Sequence, residues 1–533
     1  MRLAPRLRRC AGLFAAAVLA AGCATLPPGA GYPRYPSAAL QVPEVTALGR
    51  AFDDPARAHP GRSGFRLLSA GADGFVVRAE MIDAAQRTLD LEYFIFRQDA
   101  TGQLLTSAVL RAADRGVRVR VLVDDGDTLD GDERLFALGA HPNIEIRVFN
   151  PFSYRGHLFA LRAFEFVLDS GRLDYRMHNK LMVADNALAL VGGRNIADAY
   201  FQVDPDSQFG DDDVLAAGPV VPQLSKSFDV FWNASLAIPA RALAGSVPSG
   251  AELAKLRKSL DAHRQTSGIS AEFSARLATK EPLAGIVAGK MPLVWAPAEL
   301  VYDSPDKKGV ERGEVAGRLM APEVAKVAAA TRAELIVVTP YLVPGESGMR
   351  LLARLRAQGA RVRILTNSLE ATSETEAHAG YMHYRRPMLE DGVELYEVRA
   401  SLGNPHGSGE SRATARTTSY ALHAKLFIFD RQRLYVGSMN FDERSHHLNT
   451  EIGLIIDSPE LAQQAAARFA AITVPQNCYR VTLDRDANGG GTHLAWHTVE
   501  SGRPVTYAIE PARDPWQRMQ AQLLTMLPLD GEL

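Results

Sequence analysis

His178-Asn-Lys-Leu-Met-Val-Ala-Asp185 and His423-Ala-Lys-Leu-Phe-Ile-Phe-Asp430 repeat one pattern, with lysine two residues after the histidine and aspartate seven after it. The first copy runs on into Gly192-Gly-Arg-Asn195 and the second into Gly437-Ser-Met-Asn440, so in both an asparagine falls seventeen residues after the histidine. A single histidine-lysine-aspartate match has a chance probability on the order of a few per cent in a long chain of ordinary composition. Two copies that agree out to the asparagine mark a duplication.

Leu181 to Ala184 and Leu426 to Phe429 are apolar runs that end at the aspartate, and a second run, Ala187 to Val191 or Leu434 to Val436, stops at glycine. Each copy therefore predicts a buried hairpin. Residues two apart on a strand share a face, so His178 projects with Lys180 and His423 with Lys425. The glycine is expected to turn the backbone and bring the asparagine back beside the histidine. Imidazole, ammonium and carboxamide suit a phosphodiester without a metal. A neutral imidazole attacks phosphorus, lysine faces the non-bridging oxygens, and the amide donates to charge developing there. Displacement also needs a proton donor for the leaving oxygen, which a second, facing copy supplies.

The duplication extends upstream. Ala84 to Tyr93 followed by Arg115 to Asp124 corresponds to Ala329 to Val338 followed by Gln358 to Asn367. Each pair reads helix, strand, helix, strand, and such strands need long crossovers and so run parallel with both faces covered. The fold class is α/β: two fused sandwich halves related by pseudo-two-fold symmetry, with the active site where they meet. Glu92 and Tyr93 end the first strand and are candidate cleft residues, or equally plain strand-end residues.

With these motifs quoted, the chain resembles the phospholipase D superfamily and its paired HKD motifs. Arg147-Val-Phe-Asn-Pro-Phe152, Arg176-Met-His-Asn-Lys180, Phe231-Trp-Asn233, Thr366-Asn-Ser-Leu369, His378-Ala-Gly-Tyr381 and Gly392-Val-Glu-Leu-Tyr396 are similar to the bacterial branch with the C-type cardiolipin synthases. The resemblance implies a phosphatidyltransferase acting through a phosphohistidine, with His178 as nucleophile and His423 as general acid and then base. Lys180 and Lys425 complete the catalytic set, and Asp185 and Asp430 support it from behind. Asn195, Asn440 and Ser438 are the expected phosphate-binding groups. A carboxylate for each histidine is expected in its own half, Asp213 for His178 and Glu451 for His423. The substrates implied are phospholipids, phosphatidylglycerol with or without phosphatidylethanolamine. A phospholipase D releasing phosphatidic acid is the alternative. A secreted nuclease and a non-catalytic lipid-binding scaffold are further ones.

The formal charge of −2 disfavours nucleic acid as the main partner. His446-His447 lacks a further ligand at metal spacing, Gly489 to Gly491 lacks the lysine of a phosphate loop, and neither metal nor cofactor is expected. Residues 1–22 read as a signal peptide, with Arg2, Arg6, Arg8 and Arg9 before an apolar segment too short to span a bilayer. Ala20-Ala-Gly-Cys23 resembles a bacterial lipobox, which implies acylation of Cys23. Ala24 resembles lipoproteins that move to the outer membrane, so a periplasm-facing enzyme on an envelope membrane is expected. Cys478 then has no disulfide partner in the mature chain.

The expected organisation is a lipidated tether over 23–60, domains over 61–240 and 291–475, a helical linker over 241–290 and an extension over 476–533, in a monomer. Leu253, Leu256 and Leu260 in the linker, and Phe159, Phe164 and Phe166 in Phe159 to Leu168, read as helices packed on their own domain, with membrane contact the less favoured reading. The segment from Tyr479 alternates like short strands.

Overall fold

The computed structural model describes residues 27–126, 132–156, 158–203, 207–244, 249–266, 282–403, 419–486 and 490–527. Cys23 and the leader lie outside the described residues.

The first half contributes β1 (Ser63–Leu68), β2 (Thr88–Tyr93), β3 (Arg118–Asp124), β4 (Ile144–Phe149), β5 (Lys180–Ala184), β6 (Leu188–Gly192), β7 (Ser207–Gly210), β8 (Asp213–Ala217), β9 (Ala237–Pro239) and β10 (Val294–Ala296). The second contributes β11 (Ala298–Tyr302), β12 (Glu334–Val338), β13 (Leu342–Val343), β14 (Arg361–Asn367), β15 (Glu394–Val398), β16 (Ser419–Leu422), β17 (Leu426–Phe429), β18 (Arg433–Gly437), β19 (Phe441–Asp442) and β20 (Ile452–Ile456). It closes with β21 (Cys478–Arg485), β22 (Thr492–Glu500) and β23 (Arg503–Tyr507).

The two large sheets run in orders β10-β1-β8-β6-β5-β2-β3-β4-β9 and β11-β20-β18-β17-β12-β14-β15-β21-β22-β23. They correspond strand for strand from β1 and β11 through β4 and β15. In each, three parallel strands lie beside an antiparallel hairpin that carries the motif. The crossovers are helices, Ala100–Asp114 between β2 and β3 and Gly345–Ala357 between β12 and β14, as parallel pairing requires.

Alternation along the motif strands decides how the halves join. Leu181 and Val183 of β5 enter a core shared with Leu426 and Ile428 of β17. Met182 and Ala184 face the first half's own helices, and Phe427 and Phe429 face those of the second. The sheets thus pack on each other through the strands that bear the motifs.

Several segments differ from expectation. Residues 27–60 are bound to the domain and are not a free tether: Arg120 Nη1 donates to the Ser37 carbonyl, and helix Ala47–Ala58 buries Leu48 and Phe52. Helix Gly250–Thr266 buries Leu256 and Leu260 against the first half, as its spacing predicts. Helix Phe159–Leu168 instead turns its apolar side outward, with Leu161, Phe164, Val167 and Leu168 exposed. The C-terminal strands β21 to β23 lengthen the second sheet, and the buried Cys478 thiol forms no disulfide among the described residues.

Candidate active site

Each motif aspartate terminates its hairpin in the left-handed region, Asp185 at φ 54° followed by Asn186 at 51°, and Asp430 at 52° followed by Arg431 at 54°. This geometry suits the right-handed twist of a tight hairpin. The Asp185 carboxylate then accepts backbone N–H groups from Gln86, Arg87 and Thr88 at 2.7–2.9 Å. Asp430 accepts those of Arg332, Ala333 and Glu334 at 2.7–3.2 Å. Both aspartates pin the hairpin to the start of the neighbouring parallel strand, at the end opposite the histidines.

The glycines that follow, Gly192 and Gly437, are not in the left-handed region. They are needed for closeness: a Cβ on Gly192 would lie 2.5 Å from Asp213 Cα, and one on Gly437 2.6 Å from Gly453 Cα. The expected sharp turn is therefore replaced by tight strand contact.

His178 and His423 are each reached by the opposite half. The His178 N–H donates to the Thr450 carbonyl at 2.9 Å, and the His423 N–H to the Gly210 carbonyl at 2.8 Å. The carboxylates follow directly in sequence. His178 Nδ1–H donates to Glu451 at 2.9 Å, and His423 Nδ1–H to Asp211 at 2.7 Å. Both Nε2 atoms are thereby left as the acceptor nitrogens. Two expectations are corrected: Glu451 serves the histidine of the other half, and Asp213 touches neither.

Strand register explains the second correction. Gly437 pairs with Gly453 and Gly192 with Asp213, so Asp213 matches Gly453 and Asp211 matches Glu451. Asp213 instead accepts from Arg78 at 2.9 Å and Arg194 at 3.1 Å, all three buried. Asp211 fits because Gly193 has no side chain; a Cβ there would come within 2.1 Å of the Asp211 carboxylate. In the second half Ser438 takes that position and donates to Glu451. Ser438 thus holds the carboxylate. Ser445, which sequence reasoning missed, donates to the same group at 2.9 Å.

The lysines lie beside the histidines. Lys180 Nζ donates to the His178 carbonyl at 2.6 Å and Lys425 Nζ to the His423 carbonyl at 2.5 Å, the latter 2.8 Å from Nδ1 and 3.2 Å from Nε2 of the His423 ring. Burial, with Lys180, Lys425 and Arg444 nearby, holds His178 well below the usual histidine range. Burial and Lys425 push His423 down to about 3. Burial pushes Lys425 down to about 8, and Lys180 also falls. Glu451 is pushed up by burial to about 7, while the hydrogen bond from His423 and the charges of Lys425 and Arg194 hold the Asp211 carboxyl low in spite of burial. Two neutral imidazoles in a buried cation cluster make a site for an anionic, electrophilic phosphorus.

The asparagines differ. Asn195 is turned to the protein, accepting the Ile95 N–H and donating to the Tyr200 hydroxyl. Asn440 Oδ1 is buried without a hydrogen-bond partner among the described residues. Glu92 is fully buried and accepts from Asn179 Nδ2 at 2.9 Å, while the Tyr93 hydroxyl accepts from Arg78. Both stand behind the motif, not in a cleft. Phe94, at 5.0 Å from His178 by ring centroids, and Tyr200, at 5.0 Å from His423, border the imidazoles and carry no sequence signal of their own. Glu443, His446 and His447 could bring three ligand atoms together, but His447 already bonds Glu311 at 3.2 Å.

A family model described as cardiolipin synthase, PLD-like domain, matches residues 79–232 and again 325–473. Cardiolipin synthase C of Escherichia coli is 35% identical over 473 residues, covering 89% of this chain and 96% of that protein. An uncharacterized protein of Helicobacter pylori is 29% identical, covering 91% and 93%. The crystal structure of phosphatidylserine synthase from Haemophilus influenzae matches with a TM-score of 0.51 at 15% identity, covering 81% and 91%, a likeness of fold.

Proposed function

Because the chain belongs to the cardiolipin synthase family with PLD-like domains, we propose that it is a phosphatidyltransferase that moves a phosphatidyl group between phospholipids. The single observation that carries this reading is the pair of buried imidazoles, each oriented by a carboxylate of the opposite half.

His178 Nε2 attacks phosphorus, the bond to the donor's alcohol oxygen breaks, and His423 delivers a proton to that oxygen. The acceptor hydroxyl then gives its proton to His423 as its oxygen attacks phosphorus, and the N–P bond breaks. Lys180, Lys425 and Asn440 stabilise the phosphoryl oxygens. The division of roles follows the surroundings of each imidazole. Asp211 stays ionised and stabilises an imidazolium at His423, whereas burial and the neighbouring Lys180, Lys425 and Arg444 keep His178 the uncharged nucleophile. Bound phosphate raises the affinity of His423 for the proton it must carry.

Phosphatidylglycerol is the acceptor in this reading. Acylation at Cys23 holds the enzyme on a bacterial envelope membrane facing the periplasm, where a monomer suffices because one chain carries both motifs. No described helix is long and apolar enough to cross a membrane.

The test is mass spectrometry of lipids from cells expressing wild type, His178→Ala and His423→Ala. New cardiolipin from the wild type alone is expected, with phosphate trapped only on chains that retain His178. Phosphatidic acid as the sole product would replace the transferase with a hydrolase. A product that survives both substitutions would remove the mechanism.

A further inference from the structure

Helix Phe159–Leu168 has its amphipathic sides reversed. Its polar side chains point into the protein: Arg162 lies 3.0 Å from the Asp125 carboxylate and stacks on Phe152 at 4.2 Å, and Glu165 accepts the backbone N–H groups of Ser153 and Tyr154. Its apolar side chains point out. Leu158, just before the helix, is 63% exposed, Phe164 62%, Val167 73% and Leu168 62%, with Leu161 between them. A contiguous apolar ridge of this kind on a soluble surface marks a contact.

Where the chain enters the fold says what covers it. The first described residue, Pro27, lines the same depression as Leu168, together with Val230, Leu236 and Val315. Cys23 is four residues earlier, so at full extension its Cα lies within about 14 Å of that of Pro27. Acyl chains on Cys23 would enter a bilayer beside this ridge. The ridge also lies close to the chemistry: Asp125 adjoins Asp124, whose carboxylate accepts the Met177 N–H at 2.8 Å, one residue before His178.

We propose that the outward face of helix Phe159–Leu168 inserts into the phospholipid bilayer that carries the anchor, a second membrane contact that seats the first-half side of the active site against the lipid surface. The choice of membrane as occupant rests on the lipid-anchor reading above.

The test uses full-length protein on vesicles of phosphatidylethanolamine and phosphatidylglycerol. Wild type, Cys23→Ser, Phe164→Glu with Val167→Glu, and the combined variant are compared by flotation, with thermal melts checking the fold. The Cys23→Ser protein is expected to keep measurable binding, and adding the two helix substitutions is expected to lower it at least about tenfold, with melting unchanged. Phe164→Trp should show blue-shifted emission on vesicles and quenching by lipids brominated in the acyl chain. Equal binding by Cys23→Ser and the combined variant would overturn the proposal. So would a dimer that the helix substitutions split in the absence of lipid, because a second copy would then be the occupant.

Two readouts keep the other readings separate. Mass analysis of Cys23 tests the anchor. Turnover of a monomeric short-chain phospholipid, which the helix substitutions should leave unchanged while vesicle turnover falls at least about tenfold, tests the catalytic reading.

Discussion

His423 Nδ1 lies 2.7 Å from Asp211, a carboxylate 212 positions earlier in the chain and in the other half of the molecule. Asp211→Asn removes the charge that supports an imidazolium and allows the wrong tautomer. A fall in kcat of about 10²–10⁴ is expected, by analogy with removing the orienting carboxylate of other catalytic histidines. KM and melting temperature should change little. Asp213→Asn should do the reverse, costing about 3–5 kcal/mol of stability by stranding the buried Arg78 and Arg194. Steady-state kinetics and denaturant melts of the two neighbours separate the roles.

Glu451 supplies a pH signature. Its carboxyl is pushed up to about 7 by burial, so it becomes protonated as pH falls through neutrality and the His178 pair loses its anion. The rate should fall on the acid side with an apparent pKa near that value. Glu451→Gln should give a lower rate without that limb. A pH profile of kcat/KM from pH 5 to 9 decides it.

Glu92 affects folding, not chemistry. Its pKa is pushed from 4.5 up to about 8 by burial, partly offset by the Asn179 amide. The folded state therefore binds the proton more tightly than the unfolded chain. The contribution is complete below about pH 4.5 and is lost as pH rises to about 8, so stability declines across that window. Glu92→Gln, which stays neutral, should flatten the decline in melting temperature between pH 5 and 8.

Asp430 anchors three backbone N–H groups. Asp430→Ala should cost about 1–2 kcal/mol, because the exposed Arg332 and Ala333 donors can turn to water while the hairpin still needs the left-handed region. Activity of the remaining folded protein at low temperature should be largely kept. Parallel melting curves and activity measurements check both parts.

The duplicated motif is legible in sequence because strand periodicity and the turn aspartate are local. Leu181 and Val183 alternate with Met182 and Ala184 whatever lies beyond them, and the two buried faces are a consequence. The orienting carboxylates are not local. Asp211, Asp212 and Asp213 are consecutive, and only the pairing of Gly192 with Asp213 says which one matches Glu451. The crossing to the opposite histidine is a property of how two sheets dock, which neither half encodes alone. The orientation of helix Phe159–Leu168 is not local either: a run with this many apolar residues ordinarily faces inward, and the pairing of Arg162 with Asp125, far apart in sequence, turns it over.

The exchange of carboxylates has a consequence for how such a chain can be divided or damaged. Expressed separately, either fragment would own a histidine without its acid, so neither could be a slow version of the whole; competence would reappear only on reassociation. For the same reason, a lesion that merely loosens the seam should silence turnover well before any global melting, making catalytic rate a more sensitive gauge of docking than a thermal scan.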